Sequence, residues 1–421
     1  MVVRSRATDL HLHLQAPSPS PRSRTSDSRP LPHVGILHEY AERLVAFEYS
    51  PYPSSSSSGP GSHVGVKPHT LLFIGGLNDG LGTVSYVADI VAALEDTEWS
   101  LFSPILSSSY AGWGMGGLRQ DVHEIAACVE YIRGYKRQRQ RRSASASDPG
   151  CCSADSSPET KIVVMGHSTG CQDVLQYISA LNPQDRFSES DTSTTAPVRD
   201  RGDSVSVGVT RPQVDGAIIQ APVSDREAIQ WVLREGNKRH TAEELQKVYS
   251  KAIEQAQKHT FEEYRALDTV VPLPATASLG FPSSTPICSR RFLSLASPAS
   301  PQDPGEDDLF SSDLSDDRLR DTFGAIHGRG VLRSKLLVLY SGQDETVPPW
   351  VDKVRLLRRW QRATDYKHGY WHDQSGVIPG ATHTMAGPDQ VEARRILVRK
   401  VMRFLQHIAG DSSPHSKRGR N

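Results

Sequence analysis

A serine, an aspartate and a histidine each follow an apolar segment of the 421-residue chain. Ser168 stands in "GHSTG", Asp344 in "LVLYSGQDETVP" and His383 in "IPGATHTM". A serine hydroxyl is a poor nucleophile at neutral pH unless an imidazole takes its proton, and that imidazole needs a carboxylate to fix its tautomer. The three residue types therefore predict nucleophilic catalysis on an acyl group, provided that the fold brings them together.

The stretch "KIVVMGHSTGCQDVLQYI", from Lys161 to Ile178, indicates how the serine is presented. Its four apolar residues before the glycine predict a buried strand, and the apolar residues after Cys171 recur at helical spacing. Only a tight turn fits between strand and helix, and Gly-x-Ser-x-Gly at such a junction is typical of a nucleophile elbow. Gly166 and Gly170 are expected because a Cβ at either position would collide with the crossing strand and helix.

The partners of the serine have competing interpretations. Asp344 could simply form a turn or cap a helix, and His383 is one of 16 histidines. Asp225, in "QAPVSDREA", also follows a strand but fits a helix N-cap better. His167, beside the serine, is expected to pack locally. The order Ser, Asp, His is that of α/β-hydrolases, and it favours Ser168, Asp344 and His383 as the triad.

Two loops are expected to complete the site. An oxyanion hole needs two backbone N–H donors, for which we predict Thr169 and Leu77, with Gly76 as the alternative to Leu77. The loop "FIGGLNDGLGT" could instead cradle a phosphate, but it lacks the lysine and hydroxyl residue of a P-loop. In "SSSYAGWGMGGLRQD", Tyr110 and Trp113 are candidates for substrate binding, and packing against a cap is the alternative.

Strands and helices alternate along the chain, which predicts an α/β fold with a mostly parallel, doubly wound sheet. We expect a disordered leader over 1–35, one domain over 36–410 and a disordered tail over 411–421. Low-complexity insertions are expected at approximately 143–159 and 188–211, and a helical and loop cap insertion at approximately 223–330. The segment "DYKHGYWHDQ" is predicted to be the last strand, ahead of His383.

Composition excludes several classes of function. Lys+Arg and Asp+Glu both total 48, so net charge does not favour nucleic acid or an anionic membrane as a partner. The basic run 133–142 and the acidic run 305–317 are interpreted as solvated loops. No apolar run reaches the ~20 residues of a membrane span. The five cysteines lack metal-ligand spacing, and their odd number without a secretory leader favours a cytoplasmic protein with reduced thiols. The alternative is a mitochondrial address in the Arg- and Ser-rich N-terminus.

Several longer blocks resemble one group of proteins. The blocks "FIGGLNDG", "SSSYAGWGMGGLRQDVHEI", "GHSTGCQD", "QAPVSDREA" and "LYSGQDETVP" are similar to a fungal and plant α/β-hydrolase family of formerly unknown function. The resemblance extends to "LSLASPASPQDPGEDDLFSSDLSDDRL" and spans roughly Ile36 to Ile408, the insertions apart. It implies an α/β-hydrolase fold, and the nucleophile, acid and base of the family match Ser168, Asp344 and His383.

The family includes fungal esterases that open fusarinine-type siderophores inside the cell. The resemblance therefore implies a serine esterase of iron metabolism, acting on hydroxamates that are joined by ester bonds and hold ferric iron. Iron would be cargo of the substrate, and we expect neither a cofactor nor a metal site in the enzyme. The alternatives are a non-catalytic binding protein with this fold, or an esterase or lipase for another small ester. The sequence leaves the oligomeric state open.

Overall fold

The computed structural model describes residues 33–50, 67–147, 159–181, 210–261, 269–367 and 369–410. The predicted tail, most of the predicted leader and most of both predicted insertions lie outside these residues. Across the described residues, no helix combines the length and apolar character needed to cross a bilayer.

One eight-stranded sheet forms the centre of the described structure, and its strands run in the order β1-β2-β4-β3-β5-β6-β7-β8. From β4 to β8 all neighbouring strands are parallel, whereas β1 and β2 are antiparallel to their neighbours. This arrangement confirms the predicted α/β-hydrolase fold class. The strands are β1 (Val34–Ala41), β2 (Leu44–Ser50), β3 (His69–Ile74), β4 (Trp99–Ile105), β5 (Ile162–His167), β6 (Val214–Gln220), β7 (Leu332–Ser341) and β8 (Gly376–Ile378).

Helices cover both faces of the sheet, so the central strands are buried on both sides. Every residue of β3, β5 and β6 is buried, as the continuous apolar runs predict. The helices are α1 (Val87–Ala93), α2 (Leu118–Ser147), α3 (Gly170–Ser179), α4 (Asp225–Glu235), α5 (Ala242–Phe261), α6 (Leu273–Ser278), α7 (Ser289–Ala296), α8 (Asp316–Asp321), α9 (Ile326–Arg329), α10 (Lys353–Thr364) and α11 (Val391–Gly410).

Three elements lie at positions other than those that the sequence indicated. Strand β1 begins at Val34, two residues before the predicted start of the domain. Helix α2 continues to Ser147, into the first part of the predicted insertion. The segment "DYKHGYWHDQ" contributes one isolated bridge, from Trp371 to Leu336, and the last strand is β8 further along the chain.

Neither charge run is the solvated loop that its composition suggests. The basic run lies on α2, where Lys136 is fully buried and donates to Glu48 at 2.6 Å. In the acidic run, Asp307 and Asp308 are buried, and Arg291 of α7 donates to both oxygens of Asp307 at 2.5 and 2.6 Å. Each run thus combines exposed charges with a buried charge that meets an opposite charge inside the fold.

The predicted cap region divides between two apolar clusters. Helices α4, α5 and α7 share a cluster with Trp113, whereas Phe310 and Phe323 pack with Trp360 of α10 in the main core. The rings of Phe323 and Trp360 are stacked, with centroids 5.3 Å apart. We therefore propose that the cap proper ends before residue 309, and that the rest of the predicted cap belongs to the hydrolase core.

Replacing Arg291 tests the importance of the buried charges. Arg291→Met should destabilise the protein by roughly 3–5 kcal/mol, because Asp307 would lose its buried cation. The loss should be smaller near pH 5 than near pH 8, because burial raises the pKa of the neighbouring Asp225 to about 7, and this carboxyl needs the cation less when it is protonated. The control Arg320→Met breaks an exposed pair with Asp317 and should cost about 1 kcal/mol or less. Equal shifts of the urea midpoints in the two variants would contradict this account.

Candidate active site

Ser168 lies at the sharp junction between β5 and α3. Its φ of 54° is in the left-handed region, which residues other than glycine rarely adopt. The Ser168 N–H donates to the carbonyl of Gln220 at 3.1 Å, and the Ser168 carbonyl accepts from the N–H of Cys171 at 3.0 Å. These bonds hold the strained residue, and this is the backbone geometry that the Gly-x-Ser-x-Gly pattern predicts.

Glycines allow the chain to pass close to this junction. A Cβ on Gly166 would lie 2.2 Å from the carbonyl oxygen of Gly170, and a Cβ on Gly170 would lie 2.5 Å from that of Gly75. A Cβ on Gly76 would lie 2.6 Å from the Cβ of Ser168. Since backbone atoms cannot move aside cheaply, any larger residue at these three positions would displace the serine.

The structure brings the three predicted triad residues together in one chain of hydrogen bonds. His383 Nε2 lies 2.8 Å from Ser168 Oγ, and His383 Nδ1 lies 2.9 Å from Asp344 Oδ2. The other carboxylate oxygen of Asp344 accepts from the N–H and the hydroxyl of Thr346, at 3.0 and 2.6 Å. Each of the three residues follows a parallel strand, β5, β7 or β8, so they meet at one edge of the sheet.

The electrostatics of the site stabilise a charged imidazole. Burial lowers the pKa of His383, but the charge and hydrogen bond of Asp344, joined by Glu345 and Asp79, raise it above its usual value. Burial raises the pKa of Asp344, but the charge and hydrogen bond of His383 and the bonds from Thr346 leave it below its usual value. The pair is therefore arranged to carry a proton on His383 beside an ionised Asp344.

Two backbone N–H groups beside Ser168 are suited to an oxyanion hole. Among the hydrogen bonds of the described residues, the N–H groups of Leu77 and Thr169 have no protein acceptor. The alternative donor, the N–H of Gly76, donates to Asp79 Oδ2 at 2.9 Å. That carboxylate also argues against a phosphate in this loop, because its charge would repel the ligand. Leu77 and Thr169 therefore remain the predicted donors of the oxyanion hole, and Gly76 is no longer a candidate donor.

The two aromatic candidates have different surroundings. Tyr110 is 45% exposed and its hydroxyl accepts from the N–H of Leu81 at 3.1 Å, so it braces the loop that carries Leu77. Trp113 is 1% exposed, donates to Asn78 Oδ1 at 3.0 Å and packs against Phe281 of the cap. Burial favours the packing role for Trp113, and a direct contact with substrate is easier for Tyr110.

The rival residues lie apart from the hydrogen-bond chain. Asp225 is the first residue of α4, and the N-cap is Ser224, whose hydroxyl accepts from the N–H of Glu227 at 3.1 Å. The predicted cap role therefore belongs to the preceding residue. Burial raises the pKa of Asp225 to about 7, with a contribution from the charge of Asp307. His372, the histidine near the end of "DYKHGYWHDQ" that is an alternative to His383 as base, packs against Phe404, with ring centroids 4.9 Å apart.

The sequence analysis missed Glu345 and Gln220, which lie beside the triad. Glu345 Oε2 accepts from the main-chain N–H of His383 at 2.9 Å, so the residue after the acid holds the backbone of the base. The side chain of Gln220 lies 2.6 Å from that of His167. Their positions, directly after Asp344 and at the end of β6, were the available signals. Within the described part of the chain, no group of three or more His, Cys, Asp or Glu residues has the geometry of a metal site.

Comparisons with known proteins agree with the resemblance seen in the sequence blocks. The family model described as "Protein of unknown function (DUF1749)" matches residues 23–406. Esterase AN6793 of Emericella nidulans is 55% identical over 396 residues, which cover 92% of this chain and 96% of that protein. Fusarinine C esterase sidJ of Aspergillus fumigatus is 48% identical over 376 residues, which cover 89% of this chain and 96% of that protein. The solved structure of siderophore hydrolase EstB from Aspergillus fumigatus matches with a TM-score of 0.71 and 46% identity, over 90% of this chain and 98% of that one.

Paired substitutions distinguish the two candidate acids. Asp344→Asn should lower kcat on the order of 10³–10⁴-fold, because the amide cannot stabilise the imidazolium of His383. Asp225→Asn should keep kcat within a few-fold and make the protein more stable at alkaline pH, because it mimics the protonated carboxyl. Steady-state kinetics and melting curves on both variants check this, and an inactive Asp225→Asn beside an active Asp344→Asn would reverse the assignment.

The charge of Glu345 should be visible in the pH profile. In Glu345→Gln the amide oxygen can still accept from the His383 N–H, but the negative charge is gone, so the pKa of His383 should fall. The rise of kcat/KM with pH, which requires neutral His383, should then occur at lower pH than in the wild type. The exposed Glu392→Gln serves as the control and should leave the profile unchanged. A shift to higher pH, or no shift, would refute this role.

Proposed function

Because this chain belongs to the DUF1749 family and is similar to a fusarinine C esterase, we propose that it is a serine esterase that cleaves ester bonds of fusarinine-type siderophores. The observation that carries the proposal is the hydrogen-bond chain from Ser168 through His383 to Asp344, at 2.8 and 2.9 Å. The similarity to siderophore hydrolase EstB supports the same class of substrate.

In the first half-reaction, Ser168 Oγ attacks the ester carbonyl while its proton moves to His383 Nε2. The carbonyl oxygen becomes an oxyanion that accepts from the N–H groups of Leu77 and Thr169, and Asp344 stabilises the imidazolium. When the intermediate collapses, the bond to the alcohol oxygen breaks and the alcohol takes the proton from His383 Nε2. An acyl ester on Ser168 remains.

In the second half-reaction, a water molecule gives its proton to His383 Nε2 and attacks the acyl carbon. The same N–H groups bind the second oxyanion. Collapse returns the proton to Ser168 Oγ and releases a carboxylic acid, so the net reaction consumes one water per ester bond. None of these steps uses redox chemistry, and ferric iron enters only as a part of the substrate.

Ester cleavage has a specific consequence for a cyclic hydroxamate chelator. The ester bonds keep the hydroxamate arms at a high effective concentration around one ferric ion, and this advantage is lost when the linkage is cut. Hydrolysis would therefore weaken iron binding without reducing the metal. We place this activity in the cytoplasm, which the reduced thiols of Cys128 and Cys171 support.

The nucleophile is tested by substitution. Ser168→Ala should lower hydrolysis of any ester substrate by at least about 10⁴-fold, because it removes the hydroxyl that forms the acyl ester. Its melting temperature should change little, since the hydroxyl makes no packing contact that alanine loses. The wild type should react with a fluorophosphonate and Ser168→Ala should not. Residual activity above about one hundredth of wild type would exclude Ser168 as the nucleophile.

The substrate is tested on a panel of ferric and iron-free fusarinine-type esters beside simple acyl esters, with products followed by mass spectrometry. We expect turnover of the fusarinine-type esters to exceed that of the simple esters. Turnover of simple esters alone would support an esterase of another specificity. A wild type that neither hydrolyses an ester nor reacts with the fluorophosphonate would favour the non-catalytic binding protein.

A further inference from the structure

Gln220, the last residue of β6, contacts the elbow with both its main chain and its side chain. Its carbonyl accepts from the N–H of Ser168 at 3.1 Å. Its side-chain oxygen lies 2.6 Å from His167 Nδ1 and 2.7 Å from the hydroxyl of Tyr86. Gln220 and Tyr86 are fully buried and His167 is 1% exposed, so none of these side chains can reach a substrate.

The hydrogen bonds of Gln220 fix the tautomer of His167. An amide oxygen only accepts, so Tyr86 donates its hydroxyl proton and His167 must donate from Nδ1. The amide nitrogen of Gln220 donates to Ser341 Oγ at 3.3 Å, which holds the amide in this orientation. His167 is therefore held with its proton on Nδ1.

The imidazole of His167 lies against that of His383. The two ring centroids are 5.1 Å apart and the planes are inclined by 39°. The ring of Tyr86 also packs against His167, with its plane at 84° and centroids 5.6 Å apart. Burial and the neighbouring His383 lower the pKa of His167 to about 4, so it stays neutral at working pH. His383 thus has a neutral, hydrogen-bonded ring beside it.

We propose that Gln220 and His167 are positioning residues for the base of the reaction. Gln220 orients His167 through one hydrogen bond, and the oriented ring keeps the imidazole of His383 in the plane that joins Asp344 and Ser168. This inference rests on the proposed function, because it takes His383 as the base. It adds a second support to the ring, beside the bond from Asp344.

The decisive variant is Gln220→Met, which keeps the size of the side chain and removes the acceptor. If His383 is positioned through His167, kcat should fall roughly 10- to 100-fold, because small misplacements of reacting groups are costly. KM should stay within about threefold, because the altered residues do not reach the substrate. The kcat is expressed per active site, counted by fluorophosphonate labelling, so that a smaller folded fraction does not imitate the effect.

The matched control is Tyr86→Phe, which removes the other donor to the same oxygen and leaves the His167 bond intact. It should keep kcat within about threefold. In the double variant Tyr86→Phe/Gln220→Met, the Tyr86 hydroxyl that Gln220→Met leaves without an acceptor is also removed. The double variant should therefore be more stable than Gln220→Met, but its kcat should be equally low. A wild-type kcat in Gln220→Met, or an equal loss in Tyr86→Phe, would overturn the proposal.

A measurement without turnover separates this inference from the proposed function. In ¹⁵N-histidine-labelled protein, the Nδ1 proton of His383 in its bond to Asp344 should give a resolved signal in the wild type and in Tyr86→Phe. That signal should broaden or move in Gln220→Met. An unchanged His383 signal in Gln220→Met would overturn the inference. If the signal changes in Gln220→Met as expected but the wild type hydrolyses no ester, only the proposed function is overturned.

Discussion

The strained backbone of Ser168 is the feature on which the candidate site depends. A φ of 54° is unfavourable for serine, so it persists only where neighbouring elements leave no alternative. Strand β5 ends at His167, α3 begins two residues after Ser168, and the carbonyl of Gln220 accepts its N–H. Gly76 completes the enclosure, because its missing side chain gives Ser168 the space that it occupies. The strained backbone directs the Ser168 hydroxyl toward the imidazole of His383, and the elements of the parallel sheet hold the backbone in this conformation.

Around that hydroxyl, charge is distributed unequally. His383 can carry one positive charge, and the carboxylates of Asp344, Glu345 and Asp79 all favour it. Two of these carboxylates also have structural roles, since Glu345 accepts from the main chain of His383 and Asp79 accepts from Gly76 in the oxyanion loop. The groups that stabilise the imidazolium therefore also fix the loops beside it. The same carboxylates thus supply both the charge and the hydrogen bonds of the site, and only a substitution that keeps the acceptor, such as an amide, separates the two.

Much of the fold and of the candidate site could be predicted from local sequence. Ser168, Asp344 and His383 each follow an apolar strand, and the order of such strands in a parallel sheet brings their carboxyl ends together. Gln220 and Lys136 were missed, because no local motif marks them or identifies their partners, which are 53 and 88 residues away. A buried glutamine at a strand end resembles any other polar residue at a strand end. Its contact with His167 follows from strand register, which local pattern does not reveal.

The acidic run illustrates why composition alone misleads at this site. Asp307 and Asp308 are buried with Arg291 and Arg226, which belong to α7 and α4 of the cap region. Buried ion pairs add little net stability compared with apolar packing, but breaking one is costly because the remaining charge has no partner. Such pairs therefore specify one position of the cap helices relative to the acidic segment. Asp173 lies on the helix that starts at the elbow, and burial and the charge of Asp121 raise its pKa well above the usual value, although the charge of Arg291 opposes this shift. The charge of one buried arginine therefore acts on carboxyls of both the cap region and the elbow helix.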